Sequence, residues 1–148
     1  MVRGRAQSWL RIVLEDLAVH DLFIYGTLMP GLRLEAEMHG AQRLGASCVP
    51  GRLVDVGRYP GLLQGQGTVT GEVYRVSDAQ LARLDEVEDM VVGDRAASQY
   101  WRERVKVQSG ALAGQPVWTY VYNRPVDGLT PIPHGDYRRY IREVGRAS

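Results

Sequence analysis

Leu22-Phe23-Ile24-Tyr25-Gly26-Thr27-Leu28 is the stretch on which the reading of this chain turns. Its apolar start, with two aromatic residues, predicts a buried strand. Gly26 then allows a sharp turn and a close approach to a ligand, because it carries no Cβ. A strand that runs into a glycine turn can leave the following N–H groups unpaired, ready for an anion or a polarised carbonyl. That makes Tyr25, Gly26, Thr27 and Leu28 candidate binding residues.

The turn gains meaning beside Leu84-Asp85-Glu86-Val87-Glu88, sixty residues downstream. Ser77-Asp78-Ala79-Gln80 reads as a capping box, Ser77 accepting from the third helical N–H and Gln80 reaching back. Asp78 suits the positive end of the helix dipole. With about 100° per residue from Leu81, Leu84 falls at about 300° and Glu88 at about 340°. Glu88 therefore shares the apolar stripe of Leu81 and Leu84, Asp85 sits at its edge, and Arg83 and Glu86 face water. A carboxylate on a buried stripe has its charged form disfavoured and its pKa raised. Two readings follow: Glu88 is a general acid/base working near neutral pH, or a helix-end acid paired with an arginine.

The 148 residues make one domain with room for a substantial core. The net charge of +1 argues against a nucleic-acid or membrane surface. Cys48, the only cysteine, excludes an internal disulfide and fits a reducing, cytoplasmic compartment as an inert, partly buried thiol. His20, His39 and His134 show no ligand spacing, so no metal is expected. No apolar run is long enough to span a membrane. Residues 1–20 begin like a signal peptide, but Arg11, Glu15 and Asp16 interrupt the apolar part. They read as an extension, with a short amphipathic helix or an over-extended start as its two explanations. The domain proper is expected over residues 21–148.

Along that domain, residues 21–25 read as a strand and 32–39 as a short helix. Residues 44–48 and 52–56 read as two strands separated by a turn at Pro50-Gly51. Residues 57–67 read as loop. Residues 68–76 alternate as a strand in which Gly71 marks a bulge or a close backbone approach. The capped helix runs to about Met90, and 91–98 reads as a mobile connection. Residues 100–108 and 117–122 form a long antiparallel hairpin. Residues 124–134, with three prolines, are irregular. Asp136 caps a last helix that docks through Tyr137, Tyr140, Ile141 and Val144. The expectation is an α+β domain, a mixed and mostly antiparallel sheet curled into a small barrel with a few short helices. Strand order and oligomeric state stay open.

Six pieces in order resemble the γ-glutamylcyclotransferase-like superfamily, in its AIG2-like and γ-glutamylamine cyclotransferase branch. They are Tyr25-Gly26-Thr27-Leu28, Gly51-Arg52-Leu53 through Gly57-Arg58-Tyr59-Pro60, Gly71-Glu72-Val73-Tyr74, Leu84-Asp85-Glu86-Val87-Glu88, Tyr100-Trp101-Arg102 and Trp118-Thr119-Tyr120. The resemblance implies that residues 25–28 bind a glutamyl head and that Glu88 is the acid/base. It implies ring closure of a small γ-glutamyl substrate to 5-oxoproline with release of an amine, needing neither metal nor cofactor. Where the family often has glycine and an aromatic residue after that glutamate, this chain has Asp89 and Met90. Tyr100 and Tyr120 are candidates either for lining the pocket or for packing the core. Two further classes stand beside the cyclotransferase: a non-catalytic small-molecule binding module, and a hydrolase or transferase of γ-glutamyl-tagged metabolites.

Overall fold

The computed structural model describes residues 18–146. The helix expected within the first 20 residues lies outside them, except that Val19 and His20 already belong to the first strand. The strands are β1 (Val19–Ile24), β2 (Gln42–Asp55), β3 (Pro60–Ser77), β4 (Tyr100–Lys106), β5 (Ser109–Gly110), β6 (Pro116–Tyr122) and β7 (Thr130–Ile132). Helix α1 covers Asp78–Val87 and α2 covers Tyr137–Glu143, with 3₁₀ turns at Glu35–Met38 and Arg95–Ala97.

All seven strands form one mixed sheet in the order β4-β6-β1-β3-β2-β5, with β7 added to β2. β1 lies antiparallel to β3 and parallel to β6. The far end of β3 also reaches β6, Leu62 opposite Val121, which curls the sheet into a half-barrel. This is the α+β architecture expected, with β1 central. Leu22 and Phe23 are fully buried, as their unbroken apolar run requires. Leu81 and Leu84 of α1 and Tyr137 and Ile141 of α2 bury against the same core.

Several local expectations are corrected. Pro50-Gly51 is no turn: β2 runs through it, and the register slips between Pro50 and Arg52. Gly51 has φ 145°, and a Cβ there would stand 2.7 Å from the Leu63 carbonyl oxygen, so the glycine serves a bulge. Most of residues 57–67 is likewise strand. β3 begins at Pro60, and only a tight turn, closed by Val56 N–H to Tyr59 C=O at 3.0 Å, joins it to β2. Glycine and proline masked this strand because pairing with β2, which a local pattern does not register, supplies its order.

Residues 32–39 hold a single 3₁₀ turn rather than a helix. Segment 91–98 is laced down: the Ser98 hydroxyl accepts from Val91 N–H at 2.8 Å, and Asn123 donates to the Arg95 carbonyl at 2.6 Å. Ser77 caps α1 as predicted, accepting from Gln80 N–H at 3.1 Å. Gln80 does not reach back; its amide donates to the carbonyls of Glu37 and His39. Asp136 caps α2, but Val144 closes that helix half-exposed instead of docking.

Candidate active site

β1 delivers the first half of the site. After Ile24 the chain turns at Gly26, with Met29 N–H donating to the Gly26 carbonyl at 3.0 Å. Among the described residues no acceptor faces the N–H groups of Gly26, Thr27 and Leu28. Leu34 N–H donates to the Thr27 carbonyl at 2.8 Å, which ties the following segment to the turn. Gly26 does not have positive φ. Its missing Cβ instead makes room for the Pro60 ring, whose Cγ and Cδ would lie 2.8 and 3.0 Å away.

Helix α1 delivers the second half. Glu88 is its C-cap residue, its N–H bonded to the Leu84 carbonyl at 2.9 Å. The next two residues complete a Schellman closure: Asp89 N–H donates to the Glu86 carbonyl at 3.0 Å and Met90 N–H to the Asp85 carbonyl at 2.9 Å. Asp89 occupies the left-handed position of that motif, with φ 54°. This is the conformation glycine adopts without strain.

The turn and the helix end meet in one cavity of about 240 Å³. Tyr25, Gly26, Thr27 and Leu28 line one side and Glu88 and Asp89 another, with Tyr59, Gln99 and Tyr100 between them. Glu88 is half-buried and opens on this space. Its carboxyl is pushed up to about 7, first by burial and second by the negative charge of Asp89. No ion pair or hydrogen bond engages that carboxylate among the described residues. The reading of Glu88 as an arginine-paired structural acid therefore finds no partner among the described residues.

The tyrosines are largely committed. Tyr25 donates to the Tyr120 carbonyl at 2.6 Å and accepts from Leu62 N–H at 3.2 Å, fixing the end of β1 to β6 and β3. Burial, and then the charge of Glu88, hold its phenol well above the ordinary value. Tyr100 donates to the Pro60 carbonyl at 2.7 Å. Tyr120 donates to Asp85 at 2.6 Å. Both lie in the core and also line the cavity, so the two roles anticipated for them coexist.

Asp85 is the residue that angular reasoning undervalued. It is not at the edge of the stripe but 5% exposed, gripped by Arg102 at 2.9 and 3.1 Å and by Tyr120. Arg102 in turn stacks over the Trp118 ring at 4.3 Å. The Asp-x-x-Glu spacing puts both acids near one face, but only the tertiary partner distinguishes the buried pair from the open carboxylate. Arg33, Tyr59 and Gln99 also line the cavity without having been singled out; Gln99 donates to the Tyr59 hydroxyl at 2.6 Å. No pattern in the sequence marks Arg33 or Gln99.

His20 pairs with Asp78 and His134 approaches Glu143 at 3.5 Å, both away from the cavity. No helix among the described residues is long and apolar enough to cross a membrane.

A family model described as "Gamma-glutamyl cyclotransferase, AIG2-like" matches residues 22–139. Gamma-glutamylcyclotransferase family protein YtfP of Escherichia coli is 38% identical over 117 residues, covering 78% of this chain and 94% of that one. Gamma-L-glutamyl-butirosin B gamma-glutamyl cyclotransferase of Niallia circulans is 36% identical over 140 residues, 90% of this chain and 87% of the other. Among solved structures, an AIG2-like protein from Mus musculus superposes with a TM-score of 0.67 at 28% identity, over 88% of this chain and 96% of its own. Sequence and fold thus agree, and the chain belongs to the AIG2-like γ-glutamylcyclotransferase family, a family of enzymes.

Proposed function

We propose that this enzyme closes γ-glutamyl amines, or closely related small metabolites, to 5-oxoproline with release of a free amine. One observation carries the reading: a carboxylate with its pKa raised to about 7, unpaired among the described residues, shares a cavity with a turn whose backbone N–H groups meet no acceptor there. The name of the Niallia circulans relative, a γ-glutamyl cyclotransferase, supports it.

Glu88 in its ionised form takes a proton from the substrate's α-ammonium group. The freed amine attacks the γ-carbonyl carbon of the same molecule, and a carbon–nitrogen bond forms. Negative charge collects on the carbonyl oxygen, where the N–H groups of residues 26–28 stabilise it or the neighbouring α-carboxylate. Glu88 hands the first proton to the leaving nitrogen as the old amide bond breaks, then takes the second proton from the ring nitrogen and passes it to the released amine. The ring departs as the neutral lactam and the amine as its ammonium ion, and atoms and charge balance without water. Holding a flexible glutamyl chain in its ring-closing conformer supplies a large share of the acceleration. Tyr25 acts by fixing the turn, since its hydroxyl is spent on backbone groups.

The test is a screen of γ-glutamyl amines for free 5-oxoproline. Release of glutamate instead would assign a hydrolase, and binding without either product a non-catalytic module. Glu88→Gln should lower turnover by about two to four orders of magnitude, the contribution of a positioned acid/base, whereas Glu86→Gln should change little. Equal effects from the two would remove Glu88 from the mechanism.

A further inference from the structure

Two buried phenols of the cavity wall can accept hydrogen bonds but have none left to donate. In the register of β4 and β6, Tyr100 stands opposite Tyr122 and Arg102 opposite Tyr120. Tyr100 and Tyr120 are therefore diagonal neighbours on one face of that pair. Both line the cavity, and they are only 4% and 2% exposed. A phenol carries a single hydrogen. Tyr100 spends its own on the Pro60 carbonyl at 2.7 Å, and Tyr120 on Asp85 at 2.6 Å. Among the described residues no N–H or O–H donates back to either oxygen. Each keeps lone pairs that only an incoming donor can fill.

Glu88 stands beside them. Tyr120 touches Asp85, and Glu88 follows Asp85 by three residues, so the two carboxyls occupy neighbouring positions on the helix surface. The charge of Glu88 is felt at both phenols. Burial, then the neighbouring Tyr25 and Glu88, holds the Tyr100 phenol protonated. Burial, then its bond to Asp85, does the same for Tyr120. Neither phenol therefore competes with Glu88 as a base. Donation to a carboxylate also makes the Tyr120 oxygen a stronger acceptor. Arg102, which shares Asp85 with Tyr120, is spent on that carboxylate through two hydrogen bonds.

Resting on the cyclotransferase reading, we infer that the phenol oxygens of Tyr100 and Tyr120 join the Glu88 carboxylate as three acceptors for the substrate's α-ammonium group. A primary ammonium has three N–H donors, one for each. A hydrogen or an acylated nitrogen in its place leaves desolvated acceptors unfilled, which costs binding. The site thus selects γ-glutamyl compounds whose α-amine is free and primary, and Tyr100 and Tyr120 are substrate-binding residues as well as core.

The test uses two ligands that cannot cyclise, because a sulfonamide replaces the γ-carboxamide. One carries the α-ammonium group and the other a hydrogen in its place. Calorimetry gives the Kd of each with wild type, Tyr100→Phe and Tyr120→Phe, variants that keep the ring and should fold. Wild type should bind the ammonium compound roughly a hundred-fold more tightly, and each variant should cut that preference roughly ten-fold, the size of one hydrogen bond to a charged group. The Kd of the compound without nitrogen should stay as it is. Tyr122→Phe, on the same sheet face but outside the cavity lining, should leave the preference intact. Equal weakening of both compounds would assign the two tyrosines to packing alone and overturn the inference. So would a preference absent from wild type, surviving in either variant, or lost equally in Tyr122→Phe. Release of 5-oxoproline from the parent γ-glutamyl amide is scored separately. Without it the cyclotransferase reading fails, while the Kd ratios still decide the ammonium site.

Discussion

Glu88 ends its helix rather than lying inside it, and that position lets one carboxylate be both desolvated and reachable. Its base form starts the proposed reaction, so activity should rise with pH through a limb near 7, well above the ordinary 4.5. Asp89→Asn should move that limb downward, because it removes the like charge, though burial should keep it above the free value. Rate–pH profiles with one substrate would show both. The same shift has a consequence for stability. A carboxyl whose pKa is higher folded than unfolded weakens the fold as pH climbs from 4.5 towards 7. Glu88→Gln should therefore be more stable than wild type above that window and similar below it, as chemical denaturation at several pH values would reveal. At Gly26, valine would press on Pro60 and displace the turn. Gly26→Val should weaken binding of γ-glutamyl compounds in calorimetry while the protein remains folded. Glu88 was legible because a 3.6-residue period places it on the apolar stripe. Asp85 was misjudged because its burial depends on Arg102 and Tyr120, which lie 17 and 35 residues away.

At the scale of elements, α1 is held at both ends by different means. Ser77 caps the start, which local sequence announces. The end is anchored by Asp85, buried between Arg102 of β4 and Tyr120 of β6. Arg102→Met would leave that carboxylate without its counter-ion, which should cost about 3 kcal/mol of stability in urea titrations. Tyr120→Phe, which removes a single hydrogen bond, should cost about 1 kcal/mol. Arg102→Met should also lower kcat, since Glu88 lies less than one turn beyond Asp85. Strands with alternating or unbroken apolar residues were readable. The glycine-rich start of β3 was not, because its exposed residues take their extended form from pairing with β2.

For the whole molecule, β3 is the long strand that joins the layers, pairing with β1, β2 and β6. Gly71 lies where it crosses the end of β1: a Cβ there would run into the Ile24 carbonyl oxygen and the Phe23 ring. Gly57, by contrast, has φ 119° and open space. Gly71→Ala should lower Tm distinctly more than Gly57→Ala, even though only Gly57 has positive φ. Melting the two variants side by side checks this. A smaller loss at Gly71 would mean that β1 and β3 can separate without harm. The C-terminal helix closes the same region, since Arg138 bonds both buried Glu72 at 3.1 Å and the Pro30 carbonyl at 2.7 Å.

The order of residues alone determined the buried first strand, the glycine turn, the capped helix and the acid on its apolar face, and with them the α+β class. These depend on neighbours within a few positions, where side-chain period and backbone preference act directly. Tertiary structure decided what those pieces mean together. It brought residues 25–28 and Glu88 to one cavity, paired Asp85 with Arg102, and turned Gly51 and residues 60–67 into strand. Each of those outcomes depends on which distant chain segment supplies a charge, a hydrogen bond or a ring, and no local pattern encodes that partner.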